Sequence, residues 1–355
     1  MSGDEAPSPR DEWLLDSLAR QAAVMANLAA TAGAGDRGVQ GSLQWWGLER
    51  QARRYLRNLE ARSRGPAAKR WADELGAHHD LLARYGDEAR ASLSTVEPEV
   101  AAEAESRLGL RVAVVGKGGA GKSMISGTLC RLLARRGHRV LAADLDTNPG
   151  LAFTLGVAHT SGGLPAEAVE EHGGAAYGWG LRSGLSPAEV VERYTVEAPD
   201  GPRFLPLGKI GDTDKTAPKH TLVALLEVLL GFGDPGWDVV GDLEAGPTTP
   251  FERYHAFADR VVVVVGPAWR SAMTARRLLP LVSDVPTVIV ANRFRDEPDH
   301  PGLAPAVRVP FDADAGEAER AGLAPIDCCP DSPAMIAIAA LADHLTSQSH
   351  QEVLT

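Results

Sequence analysis

The apolar run Val112-Ala113-Val114-Val115 leads into Gly116-Lys117-Gly118-Gly119-Ala120-Gly121-Lys122-Ser123, and Met124 to Arg136 follows with helical spacing. Strand, glycine-rich turn and helix, in that order, form the opening unit of a parallel sheet with helices packed on it. The glycines let backbone N–H groups turn inward, and the N-terminus of the helix adds a field that favours an anion. The loop is therefore expected to cradle a polyphosphate. Lys122 is expected to reach the β- and γ-phosphates, and Ser123 to offer its hydroxyl to Mg²⁺. The bland alternative is a chance glycine turn, which the flanking strand and helix argue against.

From Arg111 onward, strands and helices alternate. Strands are predicted at 111–115, 139–143, 203–207, 238–241, 260–265 and 287–291, and helices at 122–136, 187–194, 219–230, 270–282 and 332–345. The pattern predicts an α/β fold, a mainly parallel sheet flanked by helices. The stretch 159–184 is glycine-rich and aperiodic, and is expected at the surface. No strand signal precedes Arg111. Residues 1–108 read as a helical N-terminal domain or arm, and 109–355 as the phosphate-loop domain. The tryptophans 13, 45, 46 and 71 are expected in the core of the helical region. The arginines 50, 53, 54 and 57 are expected on a solvated face.

Acids stand where an open α/β sheet places its ligands, at the carboxyl ends of strands. Asp144 and Asp146 close the second predicted strand. Asp242, in Asp242-Leu243-Glu244-Ala245-Gly246, closes the fourth. Such carboxylates either hold Mg²⁺ and orient an attacking water, or simply make turns. Asn292 ends the Thr287 strand, where an amide can donate to and accept from a purine edge.

Composition narrows the function classes. A net charge of −11 argues against a general affinity for nucleic acid or anionic lipid. No apolar run is long enough to cross a bilayer. Three cysteines suggest a reduced, cytoplasmic setting without a disulfide framework. Cys328-Cys329 reads as two buried or half-buried thiols, with a metal or redox pair as the alternative. The first dozen residues are polar and acidic, unlike a secretory signal.

The loop resembles the deviant Walker A of the ParA/MinD class of ATPases, which carries an extra lysine early in the motif, here Lys117. Asp144-Leu145-Asp146 and Asp242 to Gly246 are similar to that class in order and spacing. Gly208-Lys209-Ile210, Arg270-Ser271 with Thr274-Ala275-Arg276, and Pro330 to Pro333 resemble the carbon monoxide dehydrogenase accessory branch, the nickel-insertion or CooC type. The resemblance covers about 110–345. It implies a homodimer closed by ATP and opened by hydrolysis, acting on a partner protein. It implies that Lys117 reaches the partner subunit's nucleotide and that Asp146 positions the hydrolytic water. It implies that Asp242 holds Mg²⁺ through water and that Asn292 faces adenine. The implied nucleotide-binding set is Gly116 to Met124 with Asn292. The metal-site set is Ser123, Asp144 and Asp242, and the catalytic set is Lys117, Lys122 and Asp146.

The nickel branch has a Cys-x-Cys pair shortly after the Gly-Lys-Ile piece, where this chain has Lys215-Thr216-Ala217. It also has Glu-His where this chain has Thr248-Thr249. Soft thiolates are what a nickel site would use, so the sequence departs from its branch at the metal. The alternatives left open are a non-hydrolysing nucleotide-dependent scaffold, a metallocentre-maturation ATPase, and a small-molecule kinase or ligase on the same loop.

Overall fold

The computed structural model describes residues 109–146, 150–157, 164–171, 179–207, 217–232, 236–251, 254–283 and 285–351. The readings made for 1–108, for Gly208-Lys209-Ile210, for Lys215-Thr216-Ala217 and for much of 159–184 lie outside them.

The strands are β1 (Arg111–Gly116), β2 (Arg139–Leu145), β3 (Val169–Glu171), β4 (Trp179–Leu181), β5 (Val196–Glu197), β6 (Arg203–Pro206), β7 (Trp237–Leu243), β8 (Arg260–Val265), β9 (Thr287–Phe294) and β10 (Val307–Pro310). The helices are α1 (Lys122–Arg135), α2 (Leu151–Leu155), α3 (Pro187–Tyr194), α4 (Ala217–Gly231), α5 (Thr248–Phe251), α6 (Trp269–Leu278), α7 (Ala313–Arg320), α8 (Pro325–Cys328) and α9 (Pro333–Gln351).

Eight strands form one sheet in the order β10-β9-β8-β1-β7-β2-β6-β5. Its pairings are parallel except for β5 against β6. The sequence explains this. β1 and β8 are near-continuous valine runs, buried at every position, as strands covered on both faces must be. β7 lies between β1 and β2, so the chain crosses over it through α1. That crossing puts the loop after β1 beside the carboxyl ends of β7 and β2, which is where open α/β sheets bind ligands.

One face of the sheet carries α1 and α9. Ile125, Leu129 and Leu133 of α1 share a core with Ile338, Leu341 and Leu345 of α9 and with Val112, Val114, Val262 and Val290 of the strands. Within this core Arg131 is 2% exposed. Its guanidinium donates to Asp200 at 2.6 Å, to Asp327 at 2.7 and 2.9 Å and to the Leu155 carbonyl at 3.2 Å. A buried cation is tolerable only when so fully partnered. The bonds tie α1 to the β5–β6 turn and to α8.

The described residues divide into two compact units. One holds 166–171, 179–190 and 226–232, including the antiparallel pair β3–β4. There the Glu227 carboxylate accepts from Leu181 N–H at 2.7 Å. Sheet and phosphate loop belong to the other. Among the described residues no helix is long and apolar enough to cross a membrane.

The six predicted strands and five predicted helices are present, with ends shifted by a few residues and the 270–282 helix finishing as a 3-10 turn. The prediction missed β10, α2, α5, α7, α8 and the short pairs. Cys328 is exposed rather than buried, and Cys329 is half-buried.

Candidate functional site

Helix α1 begins at Lys122 without a side-chain cap, because its N-cap is Gly121 at φ 92°. A helix start with no capping side chain leaves its first N–H groups open to an anion. Only glycine suits this position. The left-handed conformation disfavours other residues, and a Cβ there would lie 2.2 Å from Asn292 Nδ2. The loop is closed by Ala120 N–H donating to the Lys117 carbonyl at 3.0 Å. It is tied to the β7 loop by Gly246 N–H donating to the Gly116 carbonyl, also at 3.0 Å.

An open cleft of about 670 Å³ lies over the loop. Gly118, Gly119, Gly121, Lys122, Ser123 and Met124 line its floor, and Asp146, Thr154 and Glu244 line its side. Lys122 is 6% exposed, so its ammonium is held at the floor rather than free in solvent. Lys117 is half-buried and donates to the Gly118 carbonyl at 3.0 Å.

A second layer stands behind this lining. The parallel register sets Asp144 directly opposite Asp242, which brings two carboxylates side by side, both at most 1% exposed. Burial pushes the Asp144 carboxyl up, and the Asp242 charge pushes it further. Burial also raises Asp242, against the pull of the Lys122 ammonium and the Ser123 hydrogen bond. Ser123 Oγ donates to Asp242 at 2.6 Å. Asp144 accepts from Asp146 N–H at 3.0 Å and from Leu151 N–H at 3.1 Å, so it shapes the turn that presents Asp146. The set of one hydroxyl and clustered carboxylates is the hard-oxygen chemistry that suits Mg²⁺.

Asn292 is the residue read as facing a purine edge. It is fully buried, and its Nδ2 donates to the Ala120 carbonyl at 2.7 Å, so it braces the loop from below. Its Oδ1 has no protein partner. Of the predicted residues, Gly118, Gly119, Gly121, Lys122, Ser123, Met124 and Asp146 line the cleft. Asp144, Asp242 and Asn292 are buried behind them, and Gly116, Lys117 and Ala120 are not part of the lining.

A second cavity of about 410 Å³ adjoins the cleft, lined by Met124, Pro310, Phe311, Asp312, Ala315 and Gly316 among others. Arg293, Glu319 and Arg320 line both cavities. Sequence reasoning missed these, and missed Thr154. Arg293 follows Asn292 directly and Glu244 lies within the Asp242 segment, so those two carried a signal. Glu319 carried none.

Comparison with known proteins agrees with this geometry. The family described as CbiA, the CobQ/CobB/MinD/ParA nucleotide binding domain, matches residues 112–309. The carbon monoxide dehydrogenase accessory protein CooC of Rhodospirillum rubrum is 31% identical over 244 residues, 62% of this chain and 91% of that protein. An uncharacterized ATP-binding protein of Methanocaldococcus jannaschii is 29% identical over 199 residues, 53% of this chain and 76% of that one. The cell division ATPase MinD of Pyrococcus furiosus superposes with a TM-score of 0.51 at 20% identity, covering 68% of this chain and all of its own. A ParA family ATPase from Chlorobium tepidum gives 0.50 at 18% identity, covering 67% of this chain and 99% of its own. At such identities these two likenesses are of fold. The family match takes in more than half of the chain and the CooC match nearly all of that relative, and on these grounds the chain belongs to the CobQ/CobB/MinD/ParA family of nucleotide-binding domains.

Proposed function

We propose that the chain binds ATP with Mg²⁺ in the cleft, hydrolyses it, and uses ATP-dependent pairing of two copies to act on a partner protein. The observation that carries this is the start of α1. A glycine N-cap, a buried lysine and a serine bonded to a strand-end carboxylate converge there on one point of the cleft floor.

The loop N–H groups and Lys122 would hold the β- and γ-phosphates. Ser123, and Asp242 through water, would hold the ion, with Asp144 behind them. Mg²⁺ would supply charge neutralisation at the phosphates. Asp146, on the turn that Asp144 organises, would orient the attacking water. Lys117 would act across the dimer on the partner's nucleotide. The adjoining cavity, walled by Met124, Pro310 and Phe311, would take the base, with Asn292 bracing the loop beside it. The free thiols Cys130, Cys328 and Cys329 suit a reducing cytoplasm.

Phosphate release by the purified full-length protein, with Mg²⁺ and with a chelator, tests the reading. Mg²⁺-dependent turnover lost in Lys122→Ala supports it. Tight ATP binding without turnover would instead make the protein a nucleotide-dependent scaffold. The similarity to CooC favours one second reading, an ATPase serving a metallocentre. Stoichiometric nickel binding that alters ATP turnover would support it.

A further inference from the structure

Arg293 is one of two non-glycine residues at positive φ among the described residues, at 63°. The conformation is costly for an L-residue, and such outliers persist where the surroundings enforce them. Here the cause lies in the pairing of β9 with β10. Val309 pairs with Asn292 and Pro310 with Phe294, and the register shifts between them. Arg293 is therefore the extra residue of a bulge, a device that re-aims a side chain. The bulge turns it off the sheet and over the phosphate loop.

Its guanidinium has partners on both sides. Nη2 meets Glu319 of α7 at 2.5 Å, and Nη1 lies 3.4 Å from the Gly119 carbonyl. The two side chains are 38% and 27% exposed. Both line the phosphate cleft and the adjoining cavity, so the ion pair stands on the boundary between them. A nucleotide reaching from the loop into that cavity passes this boundary with several negative charges. It would compete with Glu319 for Arg293.

We propose that the Arg293–Glu319 pair is a latch across the nucleotide cleft, in which Glu319 holds Arg293 until a nucleotide takes its place and frees α7. The proposal rests on nucleotide binding in the cleft. Glu319 acts as a built-in competitor for the ligand, and α7 becomes an element that senses occupancy.

Stopped-flow binding of a fluorescent ATP analogue with Mg²⁺, on the full chain, tests it. The proteins are the parent, Glu319→Gln, Arg293→Gln and the double variant. Glu319→Gln should bind faster and tighter, by about two- to fivefold, the range expected for a solvent-screened ion pair. Arg293→Gln should bind more weakly, and adding Glu319→Gln to it should change little. Amide exchange in 313–320 should rise when the parent binds ATP. In Glu319→Gln it should already be high and stay so. Equal affinity and rates in parent and Glu319→Gln would overturn the latch. An equal gain from Glu319→Gln with and without Arg293 would also overturn it, since Glu319 would then be a simple repulsive charge. A parent that binds no ATP would refute the nucleotide reading itself, an outcome distinct from both.

Discussion

Replacing Gly121 with alanine probes the site through a single methyl group. The new Cβ would sit 2.2 Å from Asn292 Nδ2 and 3.5 Å from its Cγ. Asn292 is fully buried and cannot yield without losing its 2.7 Å bond to the Ala120 carbonyl. Two costs arise. An alanine at φ 92° costs about 1–2 kcal/mol. Leaving the Asn292 amide and the Ala120 carbonyl unpaired in the interior costs about 1–3 kcal/mol. The variant should therefore lose roughly 2–5 kcal/mol and bind ATP weakly. The two costs separate in a double-mutant cycle. With Asn292→Ala already present, the clash and the bond are gone, and Gly121→Ala should add only the conformational cost of about 1–2 kcal/mol. Urea unfolding of the four proteins measures the coupling. Strict additivity, or a Gly121→Ala protein as stable as the parent, would refute the role given to Asn292 as the brace of the loop.

Lys122→Ala should bind ATP far more weakly by calorimetry, because the buried ammonium at the cleft floor is gone; unchanged affinity would remove it from the phosphate site. Lys117→Ala should bind ATP yet stay monomeric in light scattering, whereas Asp146→Ala should dimerise with ATP and remain closed; parental behaviour in Lys117→Ala would end the trans-lysine reading. His138 Nδ1 donates to the Asp238 carboxylate at 2.9 Å, and this bond raises its pKa above the ordinary value near 6.5, against burial and the Arg136 charge. Its stabilising contribution is complete below that ordinary value and fades as pH rises through the raised one, so His138→Gln should flatten the stability loss on the alkaline side, and an unchanged slope in urea titrations would count against it.

The phosphate loop and the valine-rich strands were legible because each obeys a local rule. Glycine spacing marks the turn, and continuous apolar runs mark strands covered on both faces. The strand-end acids were legible for the same reason. What escaped depends on distant partners. β10 is four residues long, carries Arg308 and ends in Pro310, so by itself it reads as a loop; it is a strand only because β9 offers an edge. Arg131 sits in an apolar helix face and gains its meaning from Asp200 and Asp327, 69 and 196 residues away. The layering of the site was equally hidden. Strand ends predict that Asp144, Asp242 and Asn292 lie near the ligand, but only their burial in the folded chain shows that they stand behind the lining.

That inner layer has a consequence for stability. Asp144 and Asp242 lie side by side in the interior, with the Lys122 ammonium as a neighbouring cation. Burial raises the pKa of Asp242, so its ionised form is disfavoured in the folded chain relative to the unfolded one. The sign follows from linkage. The penalty is absent at pH values below the unfolded pKa and grows as pH rises through the folded one. Asp242→Asn removes the charge and keeps an oxygen that can accept from Ser123. The protein without nucleotide should therefore become more stable, on the order of 1–2 kcal/mol above neutral pH, and the gain should vanish in acid. The same variant should lose the extra stability that Mg²⁺ and ATP give the parent, because the carboxylate that would hold the ion through water is gone. Thermal unfolding with and without Mg²⁺–ATP, on both sides of neutrality, reads both effects. A variant less stable than the parent without ligand would mean that the Ser123–Asp242 bond outweighs the burial of the charge. A variant that keeps the full ligand-induced stabilisation would take Asp242 out of the metal site.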